Sequence, residues 1–351
     1  MLTVQKIRGA VQRLGQIHIT KGKARRFACG VAALSLETFE SLNAAGRSLG
    51  LNRFTGENRI RRAVLDRGLA NQVQQLLVHE ALGTRTGYFY CSLDHSQFGP
   101  FCIAVLAISV RKGRAIPIWC QVNVSEAALI APLLVALEVL FTELAIVAPG
   151  LKLVVVMDRW FASDTLFKLF TEHQIYFIAR TKGDKLIQLP WDPSWWREPL
   201  GDISQKELLV TYRSHRLRFV RSDFRDSMKG EEPWLLLTNL PEEITRTMVL
   251  HRYAERFEIE EAFKDVKWLQ RLKWQRVKKP EVIRSLLLFV FLGWWLLWRY
   301  VVPVTTREAP QAMLHPKRQL SWFRQAWEYL QRLLRTSLLP PTAVLQRGVK
   351  K

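Results

Sequence analysis

The stretch LKLVVVMD, residues 151–158, decides the fold. It is a nearly continuous apolar run, rich in β-branched residues and closed by an acid. That pattern predicts a strand buried on both faces at a sheet centre, since a strand with one wet face would alternate instead. The flanking sequence supplies the cover. SEAALIAPLLVALEVLFTELAIV, residues 125–147, reads as a long apolar helix closed by Pro149 and Gly150,. Residues 162–174 read as a second helix, and IYFIAR, residues 175–180, as another buried strand.

Towards the N-terminus the period changes near residue 85. GYFYCSLD (87–94) is aromatic enough for a strand, and FCIAVLAISV (101–110), RKGR and AIPIWCQV (115–122) together predict a hairpin,. The predicted order is β-β-β-α-β-α-β, a mixed α/β sheet with helices packed on its faces. Residues 181–245, with WDPSWW at 191–196 and the alternating LLVTYRSHRLRFVRS, read as a β-rich insertion. The expected division is a helical DNA-binding domain 1–84, a core 85–180, the insertion 181–245, a second core part 246–300 and a basic helical region 301–351. Residues 1–84 carry no acid before Glu37, which suits phosphate contact, although a structural pair of basic helices fits the pattern too,.

The chain has 351 residues, 48% of them hydrophobic, and 13 tryptophans, which excludes a disordered composition,. Its formal net charge of +21 points to a polyanionic partner, with nucleic acid the default,. Cys29, Cys91, Cys102 and Cys120 form no C-x-x-C pair and sit with no histidine cluster at zinc-ligand spacing, so they read as buried thiols of a reducing compartment,. The start of the chain shows no secretory pattern, and a cytoplasmic location is expected. SLLLFVFLGWWLLW (285–298) is the one membrane suspect; it falls short of the roughly 20 residues a span needs and reads as a buried core helix,.

Two acids stand out. Asp94 and Asp158 each close a mostly apolar strand, where the sheet meets solvent. Taken singly, a strand-end aspartate is a turn former or a helix cap. Taken together on neighbouring parallel strands they would meet, and their repulsion would call for a cation; hard oxygen ligands suit Mg²⁺ or Mn²⁺. A third carboxylate on an adjacent helix would complete a two-metal site for in-line phosphoryl transfer. The stretch YAERFEIEEAFKDVK (253–267) offers Glu260, and on one continuous helix Tyr253, Arg256, Glu260 and Lys267 would share a face,. Ordinary solvated helices also carry Arg and Glu at this spacing.

DHSQFG at Asp94, MDRWFAS at Asp158, YFIARTKGD at 176–184, and Tyr253, Arg256, Glu260 and Lys267 in the pattern Y-x2-R-x3-E-x6-K resemble the DDE transposases of bacterial insertion sequences. The resemblance is to their cut-and-paste branch and covers roughly residues 50–300. It implies a ribonuclease-H-like core in which Asp94, Asp158 and Glu260 are catalytic and hold two Mg²⁺ ions, with Mn²⁺ as an alternative. It implies DNA contacts from Tyr253, Arg256 and Lys267, with Lys264, Trp160 and Arg159 as further candidates. The implied partners are double-stranded DNA, namely the terminal inverted repeats and a target, and a second protomer in the synapse; no membrane and no nucleotide cofactor is implied. Such enzymes cut the second strand through a hairpin and flip a base onto an insertion tryptophan. Trp191, Trp195 and Trp196 are candidates for that role, with core packing the alternative. Where relatives commonly carry threonine two places after the first acid, this chain has Ser96, which keeps the hydroxyl. His95 is a candidate for phosphate contact or simply fills the strand end. A catalytically silent DNA-binding relative of the same fold is the alternative reading.

Overall fold

The structure is a computed structural model that describes residues 58, 61–110, 114–192, 196–223, 232–270, 278–296 and 298–299. Residues 1–57 and 301–351, with the basic stretches and Cys29 they contain, lie outside the described residues, as do Trp195 and the side chain of Lys267. The chain divides into two compact units, one of residues 79–97 and 101–264, the other of residues 1–78, 98–100 and 265–351.

The first unit is built on an eight-stranded mixed sheet. Its strands are β1 (Gly87–Phe98), β2 (Phe101–Val110), β3 (Arg114–Asn123), β4 (Leu151–Met157), β5 (Tyr176–Arg180), β8 (Glu207–Tyr212), β9 (His215–Arg221) and β10 (Leu235–Thr238), in the order β3-β2-β1-β4-β5-β10-β9-β8. β4 lies between β1 and β5 and is parallel to both. Leu153 to Met157 are all buried, as the unbroken apolar run predicts. The β2–β3 pair is antiparallel, with a register shift at Leu106/Ala107.

Two helices named in the sequence reading flank β4 in the chain. α2 (Ile130–Val147) starts five residues later than the apolar pattern suggests, and ends where Ala148 N–H returns to Leu144 O. α3 (Asp164–Glu172) is capped by Ser163, whose side chain accepts from Leu166 N–H, and Asp164 in its first turn suits the helix dipole,. Phe167 and Phe170 of α3 pack on Phe177 of β5, at 4.5 and 5.8 Å between ring centroids. Helices against a sheet ordered β3-β2-β1-β4-β5 give the expected ribonuclease-H-like α/β fold.

The insertion does not form a layer of its own. A small pair, β6 (Leu186–Ile187) and β7 (Glu198–Pro199), stands apart, but β10, β9 and β8 extend the core sheet beyond β5. Asn239 fixes the junction by reproducing a strand's own bonding: its Oδ1 accepts from Phe177 N–H at 2.7 Å and its Nδ2 donates to Ile175 O at 3.0 Å. Buried residues of β4, β5, β9 and β10 then share one cluster with Val249, Leu250 and Tyr253 of α4 (Arg246–Glu255).

A single helix across residues 253–267 is not what forms. α4 ends at Glu255 and α5 runs from Glu258 to Gln270. Between them, N–H groups of Arg256, Phe257, Ile259 and Glu260 each bond the carbonyl three residues back. This tighter turn has about three residues per turn, which brings Tyr253 and Arg256 into line. The cause is tertiary: Phe257 turns its ring towards Trp234 and Tyr253, at 6.0 and 6.2 Å.

In the other unit, α1 (Arg67–Leu82) contributes Arg67 and Asn71 to bonds with Glu281 (3.0 Å) and Arg284 (2.8 Å) of α6 (Pro280–Leu296). Ile283 and residues 285–295 are buried, so the suspected membrane segment is a core helix. By length and composition α2 is the one helix among the described residues that could cross a membrane, with a mean hydropathy of 2.2 and 28% of its residues buried.

Candidate active site

The sheet brings the two aspartates together. The β1–β4 ladder ends at Leu93–Met157 and the β4–β5 ladder at Met157–Ala179. The next residues, Asp94, Asp158 and Arg180, therefore stand in a row on three neighbouring strands, about 5 Å apart from one to the next. β1 itself continues to Phe98, so Asp94 closes the shared ladder and not the strand.

α4 and α5 supply the opposite wall. Arg256 Nη1 donates to Asp94 Oδ2 at 2.5 Å, and Nη2 lies 3.5 Å from Glu260 Oε1. Tyr253 donates its hydroxyl to Asp158 Oδ1 at 3.5 Å. Three carboxylates from β1, the end of β4 and α5 thus gather around one guanidinium and one phenol.

Burial controls the charges. It pushes the Asp94 carboxyl above the usual carboxylate range, although Arg256, the His95 N–H at 2.7 Å and the His95 ring pull the other way. Burial also works against the charge on Arg256, but Tyr253, Asp94, Asp158 and Glu260 outweigh it and its pKa rises. Tyr253 is pushed up to about 12, mainly by burial and further by Asp158, against Arg256 and Arg180. At neutral pH its hydroxyl is a donor.

The remaining candidates take varied positions. Tyr253 is fully buried against Trp234 and Phe257, and Arg256 is turned to the acids, so neither side chain faces outward as a phosphate clamp in this arrangement. Arg159 is exposed, and exposed Lys264 pairs with Glu261 at 2.6 Å. Trp160 stacks on His95 at 4.3 Å and meets Phe161 edge-on. His95 in turn reaches Glu126 at 3.4 Å. Trp191 and Trp196 are 63% and 45% exposed, so core packing does not describe them; they sit on the link between β6 and β7, outside the large sheet.

Arg180 joins the site, although the sequence patterns above do not single it out. It interacts with the Tyr253 hydroxyl and stands in line with the two aspartates. The signal was present: YFIAR, like GYFYCSLD and LKLVVVMD, is an apolar strand closed by a charge.

The donor set suits a hard divalent cation, with three carboxylates of which two already surround a cation in the form of the Arg256 guanidinium. Among the described residues no three acidic, His or Cys groups converge closely enough to hold an ion; the Arg256 guanidinium stands between Asp94 and Glu260.

A sequence profile of the transposase DDE domain matches residues 103–296, a span that includes Asp158 and Glu260 and begins after Asp94. No curated protein matches the chain at a significant level.

Proposed function

The chain belongs to the transposase DDE-domain family, DNA-cleaving enzymes of transposition that typically use a divalent metal, and from that premise we propose that it cuts and joins the ends of its own element with Asp94, Asp158 and Glu260. The observation that carries the reading is the placing of Asp94 and Asp158 side by side just beyond the last pair of the parallel β1–β4 ladder, with Glu260 of α5 facing Asp94 across Arg256. Mg²⁺ or Mn²⁺, two ions to a site, would be held by the three acids and would supply Lewis-acid stabilisation and an activated oxygen nucleophile for in-line phosphoryl transfer.

The chain's own residues orient that chemistry. Tyr253 donates to Asp158 and fixes the rotation of its carboxylate. Asp94 is fixed by the His95 N–H. Arg159, next to Asp158, and Lys182, two residues after Arg180, are exposed, and in this reading would meet the sugar–phosphate backbone,. Arg180, Arg256 and Lys267 complete the phosphate-binding set of this reading. The spacing Y-x2-R-x3-E-x6-K supports a reading in the cut-and-paste branch, in which the second strand would be cleaved through a DNA hairpin. Exposed Trp191 and Trp196 offer π-faces for an unstacked base,. The proposed substrates are the terminal inverted repeats and a target duplex in the cytoplasm, engaged by a homodimer formed in the synapse.

The test is cleavage of a labelled fragment carrying the element's ends, with Mg²⁺, by the wild type and Glu260→Gln. Cutting at the element end that disappears in the variant, while binding persists, is expected. Binding without cutting in both proteins would make this a silent DNA-binding relative.

A further inference from the structure

Arg256 fills the middle of the carboxylate group with a side chain only 4% exposed. Its Nη1 takes an oxygen of Asp94 and its Nη2 approaches Glu260, while the rings of Phe257 and Tyr253 lie 4.6 and 5.6 Å from its guanidinium carbon. The seat is incomplete. Nε is buried with no hydrogen-bond partner, although a guanidinium carries donors on all three nitrogens,. The residue also stands in the irregular turn between α4 and α5.

We propose that Arg256 is an internal counter-ion that keeps the centre closed to divalent metal until a DNA phosphate draws its guanidinium away. This rests on the reading of Asp94, Asp158 and Glu260 as metal-binding acids. The oxygens that Arg256 engages are those a metal ion would need. Two cations sharing them in a poorly solvated site repel strongly, so one must leave. A phosphodiester offers the guanidinium a bidentate partner in exchange, which also satisfies donors left idle in the closed seat. DNA and metal then raise each other's affinity by the same factor, as linkage requires. Without DNA the acids stay neutralised and the nuclease stays idle.

The test uses the full chain without DNA and measures Mn²⁺ binding by the loss of the free-ion electron paramagnetic resonance signal. Arg256→Met, which keeps bulk and loses charge, is expected to bind Mn²⁺ at least about tenfold more tightly than wild type. Arg256→Lys, still cationic, stays near wild type, and Asp94→Asn added to Arg256→Met removes the gain. Equal affinity in wild type and Arg256→Met, or a gain that survives Asp94→Asn, overturns the proposal. Should Arg256→Met fail to fold, the wild type answers alone. Its Arg256 Nε–H resonance, assigned by its absence in Arg256→Lys, is expected to shift when Mg²⁺ and a short random-sequence duplex are added together; an unmoved resonance at saturation overturns the proposal. The functional reading fails separately. Tighter Mn²⁺ binding in a protein that never cuts element ends keeps the counter-ion and discards the transposase reaction, and end cutting without the affinity gain does the reverse.

Discussion

Asp94 and Arg256, 162 residues apart in the chain, meet at 2.5 Å and join β1 to the turn between α4 and α5. Removing one partner of a buried pair leaves the other charge stranded. Asp94→Asn is expected to cost about 2–3 kcal/mol, below the usual penalty because Glu260 remains near Arg256,. Urea unfolding of Asp94→Asn, Arg256→Met and the double variant measures the coupling, and the double variant should lose clearly less than the sum of the singles.

Arg218 of β9 is 4% exposed and donates to Pro241 O at 3.1 Å and Ile244 O at 2.6 Å, in the loop that leads into α4. It sets where α4 begins and hence where Tyr253 and Arg256 arrive. Arg218→Met strips the buried Ile244 carbonyl of this donor and leaves Pro241 O with the Ile244 N–H alone, and is expected to cost about 1–3 kcal/mol,. End cleavage should fall in parallel, while nonspecific duplex affinity measured by fluorescence anisotropy stays within about twofold.

Gly183 and Gly201 cross so closely that a Cβ on Gly201 would sit 3.2 Å from Gly183 Cα and 3.3 Å from its carbonyl oxygen. Gly201 N–H also donates to Gly183 O at 2.9 Å. Backbone cannot yield as a side chain can, so Gly201→Ala is expected to cost about 1–3 kcal/mol by overpacking. Gly201→Val should cost more, as thermal unfolding would register.

Tyr88 sits edge-on to Tyr176 at 5.3 Å and donates its hydroxyl to Glu243 at 3.3 Å. Burial first, then Tyr176 and Glu243, push its phenol from 10.0 to about 12. The folded state holds this proton when the unfolded chain has released it, so the contribution to stability is full below pH 10 and is lost as pH rises through about 12,. Denaturant unfolding from pH 9 to pH 12 should fall less steeply in Tyr88→Phe; an unchanged slope would remove Tyr88 from the account.

β4 was legible because burial on both faces writes itself as unbroken apolar sequence. Asp158 marks where β4 stops, whereas β1 runs on past Asp94 to Phe98. The break at Arg256–Phe257 was not legible. AERFEIEEAF contains no glycine or proline, and the interruption comes from Phe257 meeting Trp234, a partner fixed by the sheet. Alternation in LLVTYRSHRLRFVRS announced strands, but which sheet edge they extend depends on Asn239 bonding to β5, a contact made across more than sixty residues. The partner of Arg256 was equally hidden, since spacing shows which residues share a face and not which way a long cation turns.

The order in which the wall and the acids occur along the chain has a consequence for synthesis. Asp94 and Asp158 leave the ribosome well before Arg256 and Glu260, separated from them by the strands that later extend the sheet. At about 5–20 residues per second, the nascent chain carries its two aspartates for several seconds with neither the guanidinium nor the third acid. A messenger cut short before the Arg256 codon would therefore yield a product with the paired aspartates but with neither the guanidinium that meets Asp94 nor Glu260, and on the proposed reading it would cut no DNA.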